Sequence, residues 1–433
     1  MNEPIVSIAQ DERGVRPAIR RRPPRARRVR RRRRVVAAAL VLALVAVGVV
    51  TAMSTVNATS GRPPAIRVVA SAVVPGSVPD FMWPKVGQAA VAVRGVGMVD
   101  RSPRERRVPI ASLTKMMTAF VVLRDHPLSP GQSGPLIRIT ASDVAIYETE
   151  AMKGDSTVKV VAGETLSESQ LLEALLIPSA DNIAGLLATW DAGSVGRFVA
   201  KMNATARSLG LASTHYADAS GVNPLSESTA ADQVRLGSDL MGHAVIRGIV
   251  RRADLPFPIV GKIWNVNPAI GDDGIQGVKS GWTLEAEGCL VTAAFRTLRH
   301  HGVLVVTAAL GQPGGLWNAA LVDEGLLDSA TRGLVAWRVA TPGATVATVT
   351  LPQGGGSISL IAPPRARFAI VWRGLKLTER ISAGSGLLAK ALVGELPGST
   401  VGEMLVVAPW GVVAQLPLGL YVTAGATARR TGG

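Results

Sequence analysis

The sequence predicts a mixed α/β chain of the α+β kind, with a transmembrane helix at its amino end and a small all-β domain at its carboxy end. Three observations carry this reading. Strand-like and helix-period apolar runs alternate through residues 81–332. One uncharged stretch, residues 35–53, is long enough to cross a bilayer. Beyond residue 333 the texture changes to short strand-like runs separated by proline and glycine clusters. At 433 residues the chain exceeds one ordinary domain and fits two folded units plus appended segments.

The charge needs locating first. The formal net charge of +16 suggests nucleic acid until its distribution is read. Residues 1–34 hold thirteen arginines against Glu3, Asp11 and Glu12, so +10 sits there and +6 is left for the other 399 residues. Arg30 to Arg34 run directly into Val35–Met53, which carries no charge. As a helix that stretch spans ~28 Å, close to the ~30 Å hydrocarbon layer. The arginines then fall on the cytoplasmic side by the positive-inside rule. Topology accounts for the basic run, and nucleic acid is not an expected partner. A cleaved signal peptide is the rival reading, with Val56-Asn57-Ala58 as its cleavage site. The apolar run exceeds the ~7–15 residues of a signal core, which favours an uncleaved anchor. Residues 1–34 are therefore read as a cytoplasmic tail, 35–53 as a membrane anchor, and 54–80, with Pro63, Pro64, Pro75 and Gly76, as an extended linker. The expected location is the cell membrane, single-pass, with the folded part outside the cytoplasm.

Three elements between residues 81 and 332 carry chemistry. Ala89–Val93 reads as a buried strand. Pro109 then precedes Ser112-Leu113-Thr114-Lys115 at the head of a helix whose buried positions are Leu113, Met116, Met117, Phe120 and Val121. Ser112 and Lys115 lie three apart and share one face. A serine hydroxyl needs an adjacent base, and a lysine in an apolar pocket can lose its proton near neutral pH. The helix amino terminus offers N–H groups to an oxyanion. Alone, such a pair reads rather as a helix cap followed by a surface lysine. The second element follows a helix with a capping box at Ser167 and Gln170 and a buried face of Leu171, Leu172, Leu175 and Leu176. Pro178 ends that helix and another begins at Asn182. Ser179 to Asn182 thus occupy a tight connection between buried helices, suited to catalysis or to plain capping. The third is Gly277-Val278-Lys279-Ser280-Gly281-Trp282-Thr283, beside a hairpin of Cys289–Phe295 and Val303–Ala309. A lysine and a hydroxyl on a strand can hold a carboxylate, and a glycine lets backbone approach closely. Cys289, the single cysteine, sits in an apolar run and reads as an inert core thiol. The five histidines form no His-x-x-x-His pair, and neither a metal nor another cofactor is expected.

In this order the three elements resemble the penicillin-recognising serine hydrolases, of which Ser-x-x-Lys is a hallmark. Among these the D-alanyl-D-alanine carboxypeptidases, low-molecular-mass penicillin-binding proteins, are most similar. The likeness runs through residues 83–330: Trp83-Pro84, Pro109–Ala119, Gly163-Glu164, Phe198–Gly221, Thr229–Asp232, Val278–Thr283 and Gly288–Leu290. It implies an antiparallel sheet flanked by helices with an all-helical subdomain, in a catalytic domain spanning 81–332. It also implies roles. Ser112 attacks the carbonyl between two D-alanines, Lys115 is the general base, and Ser179 relays a proton to the leaving amine. Lys279 and Ser280 hold the terminal carboxylate, Gly281 lines the site, and the N–H groups of Ser112 and Trp282 form the oxyanion hole. Peptidoglycan stem peptides are the implied substrate, and β-lactams the implied inhibitors.

Two positions depart from the family pattern. Ser280 stands where threonine is common; either supplies a hydroxyl. The family's Ser-x-Asn is here Ser179-Ala180-Asp181, followed by Asn182. An asparagine amide donates to a substrate carbonyl, whereas an ionised aspartate only accepts. Either Asp181 pairs with Lys115 and holds it charged, or a small backbone shift lets Asn182 serve. The expected activity is that of a serine D,D-carboxypeptidase; a catalytically weakened wall-binding protein and a D,D-endopeptidase are the alternatives. No Glu-x-x-Leu-Asn run follows the Ser-x-x-Lys helix, which argues against a class A β-lactamase. After a helix at Asn318–Leu327, the runs Ala344–Leu351, Ile358–Ile361, Phe368–Trp372 and Glu403–Ala408 predict the small β domain, with its tail, over 333–433.

Overall fold

The computed structural model describes residues 66–94, 98–350, 357–383, 400–408 and 411–423. The expected anchor and cytoplasmic tail lie outside these residues. Among the described residues no helix is long and apolar enough to cross a membrane.

A five-stranded antiparallel sheet carries the Lys279-Ser280-Gly281 segment on one edge. Its order is Ile275–Thr283, Glu287–Leu298, His301–Gln312, Gln88–Val93 and Met98–Arg101. Helices pack on both faces, so its strands read as continuous apolar runs. Ala89, Val91 and Val93 join one apolar cluster, while Ala90 and Ala92 join another on the opposite face. Val305 and Ala309 separate from Val306 and Ala308 in the same way, following the two-residue period of a strand.

The described helices are α1 (Thr114–Asp125), α2 (Ala141–Lys153), α3 (Glu168–Leu176), α4 (Asp181–Ala192), α5 (Val195–Ser208), α6 (Ala230–Leu240), α7 (Ala244–Val250) and α8 (Leu316–Gly333). Helix α8 covers one face of the sheet and α6 the other. Helices α1, α3, α4 and α5 build a helical region around Met116, Leu172, Leu175, Ile183 and Phe198. The start of α3 follows from sequence. Ser167 accepts from the Gln170 N–H, and the Gln170 side chain accepts from the Ser167 N–H. Thr140 and Asp143 do the same for α2.

A second, six-stranded antiparallel sheet takes the order Ile66–Val73, Lys376–Ala383, Thr400–Ala408, Gly411–Thr423, Ser357–Ile361 and Thr345–Thr350. Its core holds Leu360, Leu377, Met404, Val406 and Leu416. Leu334–Ala340 pairs separately with Arg367–Trp372. Ile66–Val73 corrects the reading of residues 54–80 as linker throughout. Flanking prolines suggested an extended tether, yet this run is rich in β-branched residues and pairs along its whole length with Lys376–Ala383.

Candidate active site

Ser112 lies in a 3₁₀ turn, Ala111–Leu113, that runs into α1. Ala111 takes a left-handed backbone, φ 45°, a conformation costing a non-glycine residue about 1–3 kcal/mol. Gly221 makes room for it. A Cβ on Gly221 would stand 1.8 Å from the Ala111 carbonyl oxygen. The turn therefore presses against the 218–226 loop. Asp218 organises that loop by accepting from the Ser220 hydroxyl and from the Gly221 and Asn223 N–H groups, while its other oxygen accepts from the Ser226 hydroxyl.

Lys115 has no exposed surface. Its Nζ lies 2.8 Å from Ser112 Oγ, 2.6 Å from Asp181 Oδ1 and 2.9 Å from the Ser220 carbonyl oxygen. As an ammonium it donates to all three. As a neutral amine it keeps two donors, for Asp181 and Ser220, and turns a lone pair to the Ser112 hydroxyl. The same geometry thus fits either protonation state of the lysine. Of the two outcomes left open by the sequence, the first is the one observed: Asp181 is the direct partner of Lys115. Burial is the largest influence on Asp181 and pushes its carboxyl up, with the Lys115 charge pulling it back.

Asn182, expected as a substrate contact, is not brought to this pair. Its amide donates to the Val158 carbonyl, and its carbonyl accepts from the Val158 N–H. Both polar ends are committed to pinning one backbone residue against the start of α4. Ser179 sits between α3 and α4 with φ 68°, and its buried hydroxyl has no hydrogen-bond partner among the described residues. An unpaired buried hydroxyl at this turn calls for an explanation.

Ile275–Thr283 is an edge strand of the central sheet and packs on the Ser112 turn. Gly281 sets the closeness of that contact. A Cβ there would be 2.8 Å from the Ser112 nitrogen and 3.1 Å from both the Ala111 Cβ and the Ile110 oxygen. Lys279 is buried, and its Nζ donates to the Ser280 carbonyl. Burial, then the Lys115 charge, hold Lys279 well below the usual lysine range, against the pull of Asp181. Ser280 and Trp282 alternate with these two along the strand. The Ser280 hydroxyl donates to the Val266 carbonyl at 3.3 Å, and half-exposed Trp282 lies beside Gly315.

Sequence reasoning passed over two features. The Ser220 carbonyl is a main-chain group with no side-chain signature, although Asp218 and Gly221 beside it were visible. Glu150 on α2 lies within electrostatic reach of Asp181. Burial first, then the charges of Asp181 and Asp155, push its carboxyl up to about 7. Cys289 behaves as expected, with its thiol buried and pushed up to about 12. Among the described residues no cluster of three His, Cys, Asp or Glu could hold a metal.

A half-buried serine on a buried lysine at a helix head, faced by a Lys-Ser-Gly edge strand, defines a penicillin-recognising serine hydrolase. The chain belongs to the D-alanyl-D-alanine carboxypeptidase family, whose model matches residues 98–311. A D-alanyl-D-alanine endopeptidase of Pseudomonas aeruginosa is 34% identical over 239 residues, 52% of this chain and 72% of that relative. A D-alanyl-D-alanine carboxypeptidase of Bacillus subtilis is 30% identical over 219 residues, 48% of this chain and 53% of that relative. The fold is that of penicillin-binding protein 5 from Haemophilus influenzae, with a TM-score of 0.57 over 82% of this chain and 100% of that one, at 18% identity.

Proposed function

We propose that this chain is a serine D,D-carboxypeptidase that removes the terminal D-alanine from peptidoglycan stem peptides. The observation that carries the reading is Lys115 Nζ at 2.8 Å from Ser112 Oγ, in a pocket that excludes water from the lysine. Neutral Lys115 takes the Ser112 proton as Oγ attacks the carbonyl. The Ser112 and Trp282 N–H groups receive the oxyanion, the contact at Gly281 fixing their spacing. Ser179, whose hydroxyl is free for a new bond, passes a proton to the leaving D-alanine nitrogen. The terminal carboxylate lies against Lys279 and Ser280, and its charge restores the proton that burial disfavours on Lys279. Asp181 and Gly281 line the same pocket. The free side of the edge strand suits an extended peptide backbone. Water then releases the acyl group.

Labelled penicillin tests this directly. The wild type should acylate at Ser112 and Ser112→Ala should not; folded wild-type protein that stays unlabelled overturns the proposal. Two further readings each have an observation behind them. The Lys115–Asp181 pair favours a weakened wall-binding protein, which D-alanine release from a D-Ala-D-Ala peptide excludes. The Pseudomonas aeruginosa relative favours endopeptidase action, which cross-linked against linear muropeptides distinguishes.

The apolar run 35–53 and the arginines before it support an amino-terminal anchor, with residues 1–34 cytoplasmic and the catalytic part outside. A chain lacking residues 1–53 should leave the membrane fraction. We assign 81–332 to catalysis. The segment 333–433, together with strand Ile66–Val73, forms the β domain that spaces or docks it.

A further inference from the structure

A cavity of about 570 Å³ opens near the C-terminal end of α1, lined by Asp125, His126, Leu128, Gln132, Gly134 and Glu168 among others. It is distinct from the site of Ser112, which lies at the other end of the same helix, roughly 20 Å away along its axis. Glu168, the first residue of α3, has no exposed surface, and neither carboxyl oxygen has a hydrogen-bond partner among the described residues. A buried carboxyl left unpaired is costly and calls for an explanation.

Three other polar side chains of the lining have partners elsewhere. Asp125 holds Arg124 and Lys201 at 2.8 and 2.7 Å. His126 Nε2 lies 3.2 Å from Asp191 Oδ2, and its ring stacks on Trp190 at 4.1 Å. Gln132 accepts from the Ser129 N–H. The cavity lies at the carboxy-terminal end of α1, which carries partial negative charge, and offers one unsatisfied acid, held at the amino-terminal start of α3, between the apolar walls of Pro127, Leu128 and Pro135. A group that answers all three features carries a positive charge, several N–H donors and a short apolar stem. Gly134 lies close over the acid: a Cβ there would come 2.7 Å from Glu168 Oε2, so only a glycine leaves the carboxyl its place beside the cavity.

We propose that this cavity binds a primary ammonium group on a short aliphatic chain, with Glu168 as its counter-charge. Burial pushes Glu168 up to about 7, so binding is measured at about pH 8, where the carboxylate is ready.

Calorimetry on the full chain with 1,5-diaminopentane is the test. A second arm uses a lysine-containing D-Ala-D-Ala peptide and its Nε-acetylated form, with Ser112 blocked by penicillin; it separates a wall-peptide source from a free diamine. Saturable binding is expected, weakened about tenfold or more in Glu168→Gln. Gln132→Lys, which sets a competing ammonium into the cavity from an exposed loop, should weaken it similarly. It serves as the second variant if Glu168→Gln fails to fold. Acylation by labelled penicillin checks the fold of each. Absence of saturable binding by either amine overturns the proposal. So does binding undiminished in both variants, or an acetylated peptide that binds as tightly. Failure of penicillin labelling would count against the reading of Ser112 while leaving the diamine arm intact.

Discussion

Gly281→Ala tests the strand-to-turn contact that the catalytic reading depends on. The added Cβ falls 2.8 Å from the Ser112 nitrogen and 3.1 Å from two further atoms, one a backbone oxygen and one the Cβ of Ala111. None of these is the end of a flexible side chain. Comfortable contact begins near ~3.5 Å, so strand and turn must part by about 0.7 Å. Oxyanion donors work within about 2.7–3.1 Å of the developing charge, and a displacement of that size takes one of them out of range. Loss of one donor lowers turnover by ~10²–10³, or about 2.7–4 kcal/mol of barrier. Overpacking should also cost about 1–3 kcal/mol of stability. The assay is the second-order rate of Ser112 acylation by labelled penicillin, with thermal unfolding alongside. Gly302→Ala, where an added Cβ meets nothing within 4 Å, is the control. Acylation within about threefold of wild type, at unchanged unfolding temperature, would refute the claim that this contact sets the oxyanion geometry.

Three further outcomes follow from the same structure. Asp181→Asn removes the charge 2.6 Å from Lys115. It should cost about 3–5 kcal/mol of unfolding free energy where the lysine stays charged; an unfolding free energy within about 1 kcal/mol of wild type counts against Asp181 as the partner that satisfies Lys115. Asn182→Ala leaves both polar groups of Val158 unpaired, so unfolding free energy should drop by about 1–3 kcal/mol while acylation per folded molecule stays near wild type. Asp323 on α8 is fully buried beside Thr292 and Thr307, and burial holds its carboxyl well above the usual range. The folded chain keeps a proton that the unfolded chain loses near 3.8, so this residue's contribution declines as pH rises through that value and beyond. Asp323→Asn should flatten the fall in unfolding temperature between about pH 5 and 8, and an unaltered slope would show that the residue does not set it.

The parts of this site that were legible are those encoded locally. Ser112 and Lys115 meet because three residues make most of a helical turn. Helix α3 begins at Ser167 because two side chains three apart cap each other. The Asp181–Lys115 pair was foreseen as one of two outcomes, since composition names the charges but not which neighbour the α4 backbone presents. Asn182 could not be placed, because its partner is the backbone of Val158, 24 residues away. The carbonyl of Ser220 carries no residue-type signal at all. In the β domain, the runs Ile358–Ile361 and Phe368–Trp372 were legible and fall within strands Ser357–Ile361 and Arg367–Trp372. Gly411–Thr423 did not, because Pro417 and Gly419 interrupt the pattern that its pairing with Thr400–Ala408 satisfies.

Strand Ile66–Val73 imposes an order of assembly. It is synthesised before the catalytic region, yet its partner Lys376–Ala383 emerges roughly 300 residues later. Until then it is an unpaired β edge on a nascent chain, the kind of surface that invites wrong partners. Once the intervening region has folded, the entropic gap between the two strands shrinks to that of short connections, and the sheet can close as a late clasp. A nick anywhere between them would leave the two fragments gripping each other through eight paired residues, so protease cutting alone would not separate this β domain from the catalytic body.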